Sequence, residues 1–149
     1  MNALYDFFLT PQPKDSNKTR YHARLVVRDT ITLEDIAETI ESRSSLRQSD
    51  VIGSFIEFAN VFKQELSNGN SIHIPGVGSF RIKAESPEVR SPKEIRAENI
   101  HCSGIVFTPE KDLLRELKAT TFEKVSETRR SQESVSYTHL RAHETSQDL

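Results

Sequence analysis

The sequence predicts an α+β fold: two amphipathic helices, a β-hairpin whose second strand continues into a protruding arm, and a closing helix, all preceded by an extra N-terminal β-hairpin. Three observations predict it. Apolar residues recur at helical spacing in Thr32–Ile40 and again in Gln48–Ser67. The stretch Asn68–Phe80, N-G-N-S-I-H-I-P-G-V-G-S-F, holds three of the five glycines and takes up strand alternation on both sides of Pro75-Gly76-Val77-Gly78. Thr108-Pro109-Glu110 offers a hydroxyl, a proline and an acid in the order in which a helix begins.

In chain order, Ala3–Leu9 (A-L-Y-D-F-F-L) and Tyr21–Arg28 (Y-H-A-R-L-V-V-R) read as strands joined by the polar, proline-containing stretch Thr10–Thr19. Thr32 can cap the first helix, with Glu34 and Asp35 in its first turn and Leu33, Ile36, Ala37 and Ile40 on one stripe. The second helix opens at Arg47, where a capping Ser or Thr would serve better. It carries Val51, Phe55, Phe58 or Ala59, Phe62 and Leu66 inward. Three phenylalanines on one helix are more apolar surface than the first helix can cover, so a second subunit is expected against this face. Asn68-Gly69 stops the helix. Arg81–Arg96 (R-I-K-A-E-S-P-E-V-R-S-P-K-E-I-R) holds two prolines that forbid a continuous ladder, so it reads as an edge ribbon or extended arm. Glu94–Ile100 is expected to return as a strand, and Gly104–Phe107 to form a short buried strand. The last helix should begin at Thr108 with Leu113, Leu114 and Leu117 inward, and Thr120–Val125 is a candidate final strand. From Ser126 the chain is polar and without periodicity, and a disordered tail is expected over 126–149. Its part V-S-Y-T-H-L-R-A-H-E-T, Val135–Thr145, resembles a translated sequencing adapter, so 135–149 is set apart as non-native read-through.

Bulk properties narrow the function classes. With 149 residues, 35% of them hydrophobic and 28% charged, a small core is expected rather than a large self-sufficient one. A net charge of −2 means that nucleic-acid affinity must come from a local patch. No apolar run reaches transmembrane length and no signal peptide follows Met1, while the lone Cys102 rules out an internal disulfide; a cytoplasmic protein is expected. His22, His73 and His101 have no ligand-spaced partners, Cys102 and His101 point to opposite sides of a strand, and the G-V-G at Gly76–Gly78 precedes no helix. No catalytic residue, metal site, cofactor or small-molecule substrate is assigned.

The arm is the chemical candidate. Arg81, Lys83, Arg90, Lys93 and Arg96 outweigh Glu85, Glu88 and Glu94. The segment is therefore either a ribbon laying cations on phosphates or an ordinary charged hairpin. Pro92, between Arg90 and Lys93, is either a wedge between base steps or a turn proline.

Residues Thr32–Lys118 resemble the HU/IHF family of bacterial nucleoid proteins. The order of elements is the same, and G-V-G-S-F (Gly76–Phe80) stands where the family has G-F-G-T-F. R-S-P-K-E-I (Arg90–Ile95) is similar to the family's R-N-P-Q-T-G-K-E-I with a shorter tip, and Val106-Phe107-Thr108-Pro109 falls where the family ends a strand before its last helix. The N-terminal hairpin and T-F-E-K ending resemble the extended HU-like proteins of Bacteroidetes. The resemblance implies a β extension over 1–30 and an IHF-like DNA-binding domain over 31–125. It implies a homodimer in the nucleoid whose arms hold bent double-stranded DNA, with a core from Phe55, Phe58, Phe62, Phe80 and Phe107. Arg81, Lys83, Arg90, Lys93 and Arg96 would be the DNA contacts and Pro92 the wedge. The departures are a shortened arm tip, three interspersed glutamates and no overall basicity. The alternative is an HU-like protein-interaction module, with Ala3–Leu9 as an edge strand for a partner's sheet.

Overall fold

The computed structural model describes residues 1–10 and 20–125, in two units: Met1–Thr30 with the segment from Thr120, and Ile31–Ala119. The expected tail over 126–149, with its read-through at 135–149, and most of the first loop lie outside the described residues.

In the first unit, β1 (Ala3–Leu9) pairs antiparallel with β2 (Tyr21–Val26), as the alternation predicts, from Leu4 opposite Val26 to Leu9 opposite Tyr21. The C-terminal strand, called β6 below by its place in the chain (Phe122–Lys124), lies parallel on the other side of β1, Ala3 opposite Phe122 and Tyr5 opposite Lys124. Ala3 N–H donates to Thr121 O at 2.9 Å and Val125 N–H to Tyr5 O at 3.0 Å, extending the pairing at both ends. Two expectations change here. Residues 120–125 belong to the N-terminal sheet, so the second unit ends at Ala119 and not at 125. β1 is the central strand: β2 pairs with it over Leu4–Leu9, and β6 covers its other edge over Ala3–Tyr5, so that part of Ala3–Leu9 offers no edge to a partner.

In the second unit, α1 (Leu33–Arg43) begins with a reciprocal cap. Asp35 N–H donates to Thr32 Oγ1 at 3.2 Å, and Thr32 N–H donates to Asp35 Oδ2 at 3.0 Å. Ala37 is its one fully buried residue, Leu33 and Ile40 are half-buried and Ile36 of the predicted stripe is exposed; the helix packs on α2 (Gln48–Ser67). Arg47 provides no side-chain cap for α2, but Glu41 of α1 does: its Oε2 accepts from Gln48 N–H at 2.8 Å. The C-terminus of α2 is a Schellman motif, with Gly69 N–H donating to Leu66 O at 3.0 Å and Asn70 N–H to Glu65 O at 3.1 Å.

The chain then forms β3 (Ile72–Ile74), a turn closed by Val77 N–H donating to Ile74 O, and β4 (Gly78–Glu85). β4 pairs antiparallel with β5 (His101–Pro109), giving the order β3-β4-β5. Ser103 is the extra residue of a bulge, since Lys83 faces Gly104 and Ala84 faces Cys102.

The return differs from expectation. Glu94–Ile100 is no strand, because local bonds take its amides: Pro92–Glu94 and Ala97–Asn99 are single 3₁₀ turns, closed by Ile95 N–H to Pro92 O and Ile100 N–H to Ala97 O at 3.2 Å each. β5 is longer than Gly104–Phe107 and, within one chain, not buried: Ile105 is 60% and Phe107 44% exposed. The last helix, α3 (Lys111–Lys118), starts later than predicted. Thr108 and Pro109 stay in the ladder opposite Ser79 and Gly78, and Glu110 is the residue at the cap position. Leu114 and Leu117 lie exposed rather than inward.

Glu110 ties these pieces together. Its amide donates to Val77 O at 3.0 Å, its Oε2 accepts from Gly76 N–H at 3.0 Å, and its Oε1 meets His73 Nε2 at 3.2 Å. The other ring nitrogen of His73 bonds Ser79 Oγ at 3.1 Å. Beside this clip Gly78 has φ +150°, and a Cβ there would lie 2.2 Å from Thr108 O and 2.8 Å from Pro109 Cα. Both are backbone atoms that cannot give way.

Gly78→Ala is therefore expected to lower unfolding stability by about 2–5 kcal/mol. Gly53→Ala, in open space on α2, should raise it by about 0.5–1 kcal/mol. Urea unfolding midpoints of the two variants check both signs. The bonds from the Thr32 backbone and then its hydroxyl hold the Asp35 carboxyl below its ordinary value of 3.8. The cap is thus at full strength above that pH and is lost as pH falls through the lowered value. Thr32→Val should move the Asp35 titration upward in a carbon-detected NMR series.

Candidate nucleic-acid interface

Alternation along β4 sorts its side chains. Phe80 and Ile82 share one face with their partners Phe107 and Ile105, while Arg81 and Lys83 share the other with Val106 and Gly104. On the apolar face an aromatic chain runs from α2 into the sheet. Phe58 and Phe62 centroids are 5.6 Å apart, Phe62 meets Phe80 edge-on at 5.2 Å, and Phe80 stacks on Phe107 at 4.7 Å. Four of the five phenylalanines expected in one cluster are thus joined. The fifth, Phe55, lines an apolar groove of about 490 Å³ with Ser54, Phe58, Ile74 and Val77. Phe55 is 42% and Phe58 43% exposed.

The cations of the arm are divided. Lys83 Nζ lies 2.8 Å from Glu85 Oε1 and Arg96 Nη1 lies 3.8 Å from Glu98 Oε1, both pairs well exposed. Exposed pairs of this kind cost little to open. Arg81, Arg90 and Lys93 have no ion pair among the described residues. Ser91 precedes and Pro92 opens the first 3₁₀ turn, where proline loses no hydrogen bond by lacking an N–H. Lys93 lies within the first turn, while Arg90 precedes it and Arg96 stands, extended, just before the second. The turns were hidden from sequence reading because the charge pattern E-I-R-A-E-N-I also fits a strand.

Charge is unevenly spread over this unit. α1 and α2 carry Glu34, Asp35, Glu38, Glu41, Asp50, Glu57 and Glu65 against Arg43, Arg47 and Lys63. Beyond Phe80 the bases slightly outnumber the acids up to Lys118. No group of His, Cys, Asp and Glu among the described residues could hold a metal ion, and no helix among them is long and apolar enough to cross a membrane.

No curated protein matches the chain. Among solved structures it is similar to the Bacteroides vulgatus ATCC 8482 protein named "Putative bacterial DNA binding protein", with a TM-score of 0.55 at 15% identity, over 82% of this chain and 48% of that one. The chain thus spans about half the length of that relative. It is also similar to Anabaena HU in a cocrystal with DNA, with a TM-score of 0.39 at 18% identity, over 59% of this chain and 97% of that one. A family model described as "HU domain fused to wHTH, Ig, or Glycine-rich motif" matches residues 1–124, across the helices, the arm, α3 and the N-terminal sheet. The chain belongs to this HU-HIG family of HU domains.

Proposed function

We propose that the chain is a non-enzymatic, nucleoid-associated DNA-binding architectural protein, acting in the cytoplasm as a homodimer that holds duplex DNA between two basic β-arms with little sequence preference. The observation that carries this reading is the family match, which includes the arm itself. Arg81, Arg90 and Lys93, free of ion pairs among the described residues, reach phosphates, and Lys83 and Arg96 exchange their exposed glutamates for phosphate oxygens. Pro92, exposed at the start of its turn, is the wedge. The acidic helices face away from the DNA, since α1 and α2 would repel it. Residues 31–119 form the DNA-binding domain, and the N-terminal sheet is an appended module.

The dimer accounts for apolar surface that one chain leaves open. Only Ala37, Val51 and Leu66 are buried hydrophobics among the described residues of the second unit. Phe55, Phe58, Phe62, Phe80 and Phe107 form the core of the dimer. Covering each exposed ring contributes roughly 1.5–3 kcal/mol. Sedimentation of the full chain should give twice the chain mass of 17.0 kDa. Phe58→Asp should shift it to monomer or prevent folding, whereas Ser54→Asp at the groove rim should weaken the dimer with the fold retained.

A second reading, an HU-like protein-interaction module without DNA affinity, is favoured by the Lys83–Glu85 and Arg96–Glu98 pairs that neutralise part of the arm. Duplex titration at several salt concentrations separates the two. The first reading expects binding at low salt whose logarithm falls linearly with the logarithm of salt concentration. Arg90→Ala with Lys93→Ala should flatten that slope by about 2. Pro92→Ala should reduce bending, read by end-to-end energy transfer, more than affinity. Absence of binding at low salt would sink the first reading, and equal bending by Pro92→Ala would remove the wedge.

A further inference from the structure

The N-terminal sheet carries a face that the arm-based reading does not use. Residues opposite each other in neighbouring strands share a face, so Tyr5 and Phe7 of β1 lie with Tyr21 and Leu25 of β2 and with Phe122 and Lys124 of β6. Phe7 is 48%, Phe122 56% and Tyr21 66% exposed. Tyr5, Ala23, Arg24, Leu25 and Phe122 border a hollow of about 490 Å³, room enough for a planar heterocycle. From the level of Phe122, opposite Ala3, to that of Tyr21, opposite Leu9, the face extends roughly 20 Å along β1.

The charges on this sheet are sorted by face. Asp6, opposite Arg24, and Glu123, opposite Leu4, both alternate to the other side. Among the described strand residues the aromatic face therefore holds no carboxylate. By alternation its one charged residue is Lys124, whose ammonium lies 5.0 Å from the centre of the Phe7 ring; Arg24 also borders the hollow, with its guanidinium 5.2 Å from the Phe8 ring of the other face. Exposed rings interleaved with a cation and free of acids match the chemistry of a stacked base beside its phosphate.

We propose that this face binds unpaired nucleotides of a single-stranded nucleic acid, with bases stacked on Tyr21 and Phe122 and a phosphate held at Lys124. A second copy laid face to face fits less well. It would bring two Lys124 ammonium groups into an apolar contact that supplies no carboxylate to meet them. A phosphodiester strand supplies both the flat apolar partner and the anion. The site is separate in sequence and in unit from the arm, so one chain could hold duplex and unpaired strand by different surfaces.

The test uses the full chain carrying Arg90→Ala and Lys93→Ala, titrated with a short fluorescein-labelled oligothymidylate and, separately, with duplex. With no tryptophan in the chain, quenching of tyrosine emission gives a second readout. Tyr21→Ser with Phe122→Ser should weaken oligothymidylate binding by at least about fivefold per ring and leave duplex binding unchanged. Tyr21→Phe with Phe122→Tyr should retain binding, and Leu25→Ser, which removes apolar surface but no ring, should change it less than about twofold. The proposal is overturned if oligothymidylate does not bind, if the serine pair binds as well as the parent, or if the aromatic exchange loses binding too. It is equally overturned if Leu25→Ser changes the sedimenting mass and the oligothymidylate affinity together, which marks a second copy on this face. Duplex binding is read independently, so failure here leaves the arm reading standing, and failure of the arm reading leaves this one standing.

Discussion

The second unit turns on one close approach: Gly78 against the backbone of Thr108 and Pro109. With no Cβ at Gly78, the start of β4 lies where a side chain would meet Thr108 O at 2.2 Å. That contact brings the end of β5 beside the hairpin turn, and Glu110 then bonds Gly76, Val77 and His73 at once. The register set there continues along β4 and β5, pairing Phe80 with Phe107 and Ile82 with Ile105 before the bulge at Ser103. A one-residue slip would turn Arg81 and Lys83 onto the aromatic face. The position of the basic residues therefore depends on a glycine well outside the arm.

Burial is the second constraint. The aromatic chain from Phe58 through Phe62 and Phe80 to Phe107 is continuous, yet none of its rings is fully buried. An unfinished core fits the proposed homodimer, in which folding and association would be the same event, the apolar surface left open by one copy being the surface a second copy would cover. The acidic residues of α1 and α2 and the bases of the arm fall on different stretches of the second unit, and the proposed association through the aromatic face would leave the arm available to DNA.

Much of this was legible in the sequence where a local signal had no competitor. The Thr32 cap, the apolar stripe of α2, the Asn68-Gly69 stop and the Pro75–Gly78 turn each rest on residues adjacent in the chain, and each stands in the structure. The misreadings came from non-local choices. Thr108-Pro109 has helix-start chemistry, but the ladder with Ser79 and Gly78 claimed both residues, and Glu110 took the cap position. Glu94–Ile100 alternates like a strand, yet its backbone amides close 3₁₀ turns after Pro92. Glu41 capping α2 from α1, and Thr120–Val125 crossing to lie beside β1, depend on tertiary proximity that no window of sequence displays. For the candidate interface, residue types and order were readable. Which cations are tied to glutamates was not, because Lys83–Glu85 and Arg96–Glu98 are pairs decided by geometry.

The central claim is that duplex DNA is held by the arm of an HU-type unit. Amide chemical-shift mapping of the full chain at low salt, with and without a short duplex, tests it most directly. Shifts concentrated in Arg81–Arg96, with Glu34–Glu57 on the acidic helices little changed, are the predicted result. A duplex that leaves the arm silent, or that perturbs α1 and α2 instead, would contradict the account.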